Sequence, residues 1–138
     1  MEYKFCNFEE KYYDSLYELI HSVYQSNISL DDLVKHYVTG DKNILICVDI
    51  STESVVGCGF YAIENDYVRT NRILYVTYVA TDERFRNQGI ATNLFKHLET
   101  IAINGGCSAI EMTSANFRSV AHELYEHIGF KKRQPLIL

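Results

Sequence analysis

Val79-Ala80-Thr81-Asp82-Glu83-Arg84-Phe85-Arg86-Asn87-Gln88-Gly89-Ile90-Ala91 joins two segments of different hydrophobic period, and most of the architecture follows from that junction. Upstream, Ile73 to Thr81 is an apolar, β-branched run and reads as a strand. Downstream, Ile90, Leu94, Leu98 and Ile101 recur at spacings of four, four and three, which is one face of a helix that ends before Gly105-Gly106. The helix start offers amides that lack intrahelical acceptors at the positive end of a macrodipole, a setting suited to phosphate. Gly89 lets a ligand approach the backbone, and Ala91 intrudes little.

The chain alternates on both sides of this junction. Residues 2 to 6 suggest a first strand, and from Glu9 to Tyr24 the apolar residues return at helical spacing. Ser29, Asp31-Asp32 and Gly40 fit the N-cap, first turn and stop of a second helix. Ile44 to Ile50, Val55 to Ile63 and Ile73 to Thr81 read as antiparallel strands separated by polar stretches 51 to 54 and 64 to 71. Ala109 to Thr113 is a fifth strand, Val120 to Ile128 a last helix stopped by Gly129, and Phe130 to Leu138 a final strand. The predicted order is β, α, α, β, β, β, α, β, α, β, an α/β mixed sheet with helices on both faces. A crossover through the helix over 89 to 104 makes strands 73 to 81 and 109 to 113 parallel neighbours.

The 138 residues suit a single domain over 1–138, with no internal repeat and no proline-rich linker. Thirteen Lys plus Arg against eighteen Asp plus Glu leave a net charge of −5, which argues against a surface that binds nucleic acid by neutralising phosphates. Cys6, Cys47, Cys58 and Cys107 form no C-x-x-C pair, and the five histidines form no metal box. The expectation is reduced thiols, no metal, no membrane association and a cytoplasmic location.

Neither G-x-G-x-x-G nor G-x-x-x-x-G-K-[ST] occurs, so NAD and ATP are poor candidates. Arg86-x-x-Gly89-x-Ala91 instead resembles the R/Q-x-x-G-x-G/A motif of the GNAT superfamily of N-acetyltransferases, which binds the pyrophosphate of coenzyme A. About 30 residues downstream, Arg118-x-x-Ala121-His122-x-Leu124-Tyr125-x-x-x-Gly129-Phe130 is similar to the family's second signature, A-H-x-F-Y-x-x-x-G-F. The resemblance covers nearly the whole chain and is strongest over residues 73 to 131.

The resemblance implies the GNAT acyl-CoA N-acyltransferase fold: a mostly antiparallel sheet with a splayed parallel pair, and acetyl-CoA held between the two splayed strands. It implies a bulge in the strand ending Val79-Ala80-Thr81, whose backbone bonds the pantetheine arm, and a diphosphate gripped by the amides of Arg86, Asn87, Gln88, Gly89, Ile90 and Ala91, with Thr92 behind them. The family often has Asn seven residues before the signature tyrosine; this chain has Arg118 there and Asn116 two places earlier. Arg118 is a candidate for a phosphate and Asn116 for the pantetheine, with helix capping the alternative role of each. Tyr125 matches the family's general acid. A phenol with pKa about 10 is protonated at neutral pH and can donate to a departing thiolate. His122, three residues earlier, is a weaker candidate as a base.

A primary ammonium must also lose a proton before it attacks. Where many family members have a glutamate for this, the chain has Tyr75, and Glu64 or Asp66 on the preceding loop and Glu111 on strand five either relay a proton through water or are solvated surface acids. The expected activity is direct transfer of acetyl from acetyl-CoA to a primary amine of a small molecule or protein, without metal and with a homodimer allowed. The rival expectation is a CoA-binding sensor with little turnover. The acceptor is expected over the first two helices and the loop 64 to 71, where Tyr12, Tyr13, Tyr17, Tyr24 and Tyr37 either line a pocket for a cationic or aromatic molecule or pack the core.

Overall fold

The computed structural model describes residues 1–25, 27–112 and 136–137. Within them β1 (Tyr3–Asn7) leads through a 3-10 turn (Glu10–Tyr12) into α1 (Tyr13–Tyr24) and α2 (Leu30–Thr39). Then come β2 (Ile44–Asp49), β3 (Ser54–Asp66), β4 (Asn71–Thr81), a second 3-10 turn (Glu83–Phe85), α3 (Ile90–Asn104), β5 (Ala109–Met112) and β6 (Leu136–Ile137). The expected last helix, with Thr113 and residues 130 to 135, lies outside the described residues.

The strands form one sheet in sequence order. Neighbours are antiparallel except β4 and β5, which run parallel from Ile73↔Ala109 to Val76↔Met112. The α3 crossover explains that exception, because two strands separated by a crossover helix point the same way.

Both faces are covered. Leu16 and Leu19 of α1 and Leu33 of α2 pack on Ile46, Val48, Cys58 and Ala80, while Leu94, Phe95 and Leu98 of α3 pack on Leu45, Leu74, Val76 and Ile110. Strand β2 therefore buries all six residues, and its continuous apolar run is the pattern of a strand between two layers. Helix α3 lies close to the sheet because β3 offers glycines beneath it. A Cβ at Gly57 would stand 2.9 Å from Ile90 Cγ2, and one at Gly59 3.3 Å from Leu94 Cδ2. Helix α2 begins as its sequence predicts, with Ser29 Oγ accepting the Asp32 amide at 3.1 Å and Asp32 returning the bond to the Ser29 amide at 3.2 Å.

One local feature differs from the sequence expectation, and a second gives the expected bulge its position. The β3–β4 hairpin is longer, since Glu64, Asn65 and Asp66 pair with Ile73, Arg72 and Asn71 and only residues 67 to 70 turn. Asp66 makes that tight turn by accepting the amides of Val68 and Arg69 at 3.0 Å each, and Thr70 completes it at φ 56°. The bulge falls at Thr77, upstream of Val79: Phe60 pairs with Tyr78 but Tyr61 with Val76. Thr77 Oγ1 donates to the Phe60 carbonyl at 3.1 Å, so the extra residue is tied to the ladder through its side chain.

Candidate active site

The bulge sets which atoms of β4 meet which neighbour. Before it, Leu74 and Val76 face α3; after it, Val79 faces α3 and Ala80 faces α1. Tyr75 and Tyr78 therefore share the α1 face although three positions separate them. The Asp82 amide donates to the Val56 carbonyl at 2.8 Å, continuing the β3–β4 ladder by one pair. By the alternation of an antiparallel ladder, Tyr78 and Ala80 turn their amides and carbonyls to β3, while Val79 and Thr81 turn theirs toward the β5 side. The last described β4–β5 pair is Val76↔Met112, so these groups lie beyond the end of that register. The Tyr24 hydroxyl, from the end of α1, donates to the Val79 carbonyl, and its ring meets Tyr78 edge-on at 5.3 Å.

Past Thr81 the chain turns sharply. Asp82 caps the 3-10 turn by accepting the Arg84 amide at 3.0 Å and takes Arg84 Nη2 at 2.8 Å, so the Arg84 bond holds its carboxyl below the usual carboxylate range. Arg84 is thereby committed. Exposed Arg86 has no ion-pair partner among the described residues and stays available to an anion. Asn87 at φ 66° and Gly89 at φ 76° are left-handed, which Asn tolerates and Gly adopts without strain.

Gly89 is the N-cap of α3 and its carbonyl takes the Asn93 amide at 2.9 Å. The amides of Ile90, Ala91 and Thr92 have no acceptor among the described residues. They sit at the positive end of a 15-residue helix. Ile90 is buried beneath them; Ala91 and Thr92 are half-buried, and Arg86 through Gly89 are exposed.

A clamp that sequence reading did not find holds this turn. Tyr3 of β1 donates its hydroxyl to the Gln88 carbonyl at 3.0 Å and accepts Asn93 Nδ2 at 2.9 Å. A Cβ at Gly89 would stand 3.6 Å from Asn93 Nδ2 and 3.7 Å from the Tyr3 hydroxyl, inside the same clamp. With Gln88 carbonyl drawn away toward Tyr3, the peptide planes of the turn are fixed before any ligand arrives. This donor set of unpaired amides, a helix dipole and one uncommitted guanidinium fits a diphosphate.

The tyrosines divide. Tyr12 is a core residue, and Tyr13 and Tyr37 form an aromatic cluster with Phe8 at centroid distances of 5.3, 4.9 and 5.6 Å. Tyr17 stacks on His21 at 5.9 Å, and Tyr24 reaches β4. Of the acids considered as proton relays, Glu64 is exposed, whereas Asp66 and Glu111 are both held by Arg69, at 2.6 and 2.7 Å. Burial pushes the Tyr75 hydroxyl up, helped by Glu111 and opposed by Arg69, so Tyr75 remains a phenol at neutral pH. Asn116, Arg118 and Tyr125 lie outside the described residues, as does His122. No helix among the described residues is long and apolar enough to cross a membrane.

A mixed sheet whose one parallel pair among the described residues is bridged by a helix, with unpaired amides at the start of that helix, is the frame of an acyl-CoA-type transferase fold. The chain belongs to the acetyltransferase (GNAT) family, whose model matches residues 7–130. It is 32% identical over 76 residues to the mouse thialysine N-epsilon-acetyltransferase, covering 54% of this chain and 44% of that protein. It is 30% identical over 104 residues to the human N-acetyltransferase 8B, covering 75% of this chain and 45% of that one. The chain thus spans less than half the length of either relative. Its fold matches a chain of the NatC complex crystallised with Gag peptide and CoA, with a TM-score of 0.78 at 20% identity over 97% of this chain and 87% of that chain.

Proposed function

We propose that this chain is a single acetyltransferase domain that takes acetyl-CoA as co-substrate and moves its acetyl group directly to a primary amine in a ternary complex. The observation that carries this reading is the row of uncommitted amides at Ile90, Ala91 and Thr92 behind a clamped left-handed turn. Family membership and the CoA named with the NatC structure support the choice of anion. In this reading the diphosphate rests on the turn over residues 86 to 92, and the pantetheine pairs with the outward backbone of Val79 and Thr81. The donor supplies an activated acyl group, and the protein supplies alignment and hydrogen-bond donors. Tyr125 protonates the departing sulfur, and Asn116 and Arg118 are the further cofactor contacts, all three on the strength of the sequence signature.

Calorimetry with acetyl-CoA tests the cofactor half: wild-type protein binds, and Gly89→Glu, which adds charge and bulk to an anion site at φ 76°, does not. Release of free CoA with a panel of amines tests the transfer half, with a loss of tenfold or more expected for Tyr125→Phe. A CoA-binding sensor is the second reading, favoured by Tyr75 standing where the family often has a carboxylate. Acetyl-CoA binding with no amine consumed, and no effect of Tyr125→Phe, would establish it instead.

A further inference from the structure

We propose that Glu111 is the specificity-determining residue that docks the acceptor as an ammonium ion, and that Arg69 positions it; the inference rests on the acetyl-transfer reading above. Glu111 is the register partner of Tyr75, one pair before the last described β4–β5 pair and two residues of β4 before the bulge at Thr77. Ile110 and Met112 pack toward α3, so Glu111 projects from the opposite face, the one that carries Tyr75 and Tyr78. The carboxylate thus stands near the end of the described parallel register, four residues of β4 before the Val79 backbone assigned to the pantetheine, on the face that carries Tyr75 and Tyr78.

Its hydrogen bonds leave it half-committed. Asp66 uses both oxygens: Oδ1 takes the amides of Val68 and Arg69, and Oδ2 takes Arg69 Nε at 2.6 Å. Glu111 Oε1 takes Arg69 Nη1 at 2.7 Å, but Oε2 has no donor among the described residues. Two carboxylates and one guanidinium leave one negative charge, shared by side chains only 22% and 21% exposed. A primary ammonium supplies three N–H donors and the missing charge, and the Tyr75 ring beside it adds a face that favours cations. An acceptor anchored by its own carboxylate would need Arg69, whose guanidinium already serves two acids. Arg69 also ties the 67–70 turn to β5, which fixes Glu111 before the acceptor binds.

The chemistry balances. The docked ammonium releases one proton to water, and the neutral amine forms the N–C bond to the thioester carbonyl. The C–S bond then breaks with its electron pair on sulfur, which takes up a proton while the second N–H proton leaves. The sum is RNH3+ plus acetyl-CoA giving RNHCOCH3, CoASH and one proton.

The test measures free-CoA release at saturating acetyl-CoA with n-butylamine, a cation at neutral pH, and aniline, which is neutral there, for wild type, Glu111→Gln, Arg69→Gln and Arg69→Lys. The expected result is a KM for n-butylamine raised tenfold or more in Glu111→Gln, a loss at least tenfold larger than with aniline, and an unchanged Kd for acetyl-CoA. Arg69→Gln should raise the same KM more than it lowers kcat, with partial recovery in Arg69→Lys. Equal losses with both amines, no change in KM, or a wild type that binds acetyl-CoA and turns over aniline but no alkylamine would each overturn the ammonium site. A wild type that fails to bind acetyl-CoA would instead refute the transfer reading.

Discussion

Removing one oxygen from Tyr3 should weaken cofactor binding without unfolding the protein. Tyr3→Phe keeps the ring, which packs edge-on against Phe5 at 5.8 Å, and deletes the hydroxyl that bridges Gln88 and Asn93. Two hydrogen bonds at about 0.5–1.5 kcal/mol each set the scale, and because one is exposed and the other only partly buried the lower half of that range applies to both. The turn then loses about 1–2 kcal/mol of preorganisation, which at about 1.4 kcal/mol per decade is about a five- to 25-fold weaker Kd for acetyl-CoA. Titration calorimetry gives the Kd, and a urea melt of the apo protein separates loop preorganisation from global stability. Because the turn lies outside the main core, the melt should shift by no more than about 1 kcal/mol. An unchanged Kd would refute the argument that the clamp orients the amides proposed to hold the diphosphate, and so would a Kd loss fully matched by lost stability.

Four further outcomes follow from the packing and charge. Gly57→Ala brings a Cβ to 2.9 Å from Ile90 Cγ2 and 3.3 Å from Cys47 Cβ, both in buried residues, so a denaturant melt should record about 1–3 kcal/mol of overpacking, with weaker acetyl-CoA binding as the first turn of α3 lifts. Ser29→Ala opens the capping box and should cost about 1 kcal/mol in the same assay while leaving the Kd unchanged, since α2 packs on the opposite face of the sheet from α3. Backbone bonds from Arg69 and Ser29 and the side chain of Arg84 hold Asp66, Asp32 and Asp82 below the ordinary carboxylate range. Depressed folded values mean that their stabilisation is present above the unfolded pKa of about 3.9 and lost as pH falls through the folded values, so the melting temperature should be level from pH 8 to 5 and fall below about 4. Burial pushes the Cys47 and Cys58 thiols up to about 12; in a thiol-disulfide dye assay at pH 8 these two should react only on unfolding.

The elements that could be read in advance are those whose signal is local. The run through β2 and β4, the four-four-three spacing of α3 and the cap at Ser29 each sit within one element, and each forms as its pattern predicts. Glu64 to Asp66 were misleading because a hairpin arm extending beyond the core pairs its backbone while exposing polar side chains, and composition then resembles a loop. The bulge at Thr77 is hidden within an ordinary β-branched run, where nothing in Val76-Thr77-Tyr78 marks the extra residue. Gly89 marks the turn at which α3 starts, but its clamp joins Tyr3 to Gln88 and Asn93, residues 85 and 90 positions away, and no pattern in a single chain carries such a pairing. The Arg69–Glu111 contact spans 42 positions and was likewise beyond the reach of periodicity; sequence named Glu111 only as a possible proton relay near strand five.

The extra residue in β4 has a bearing on how this chain can diverge. Parity along a strand is a counting rule, and Thr77 resets the count: were Thr77 drawn into the ladder as an ordinary paired residue, the backbone of Val79 would turn toward β3 and Tyr78 would come round to the α3 side in one step, with every later residue of the strand following. Substitutions can accumulate on either flank with graded effect, but a length change that the bulge does not absorb exchanges the two walls of the strand at once. Between Val76 and Thr81 the parity of the strand is therefore a stricter constraint than the identity of most residues in it.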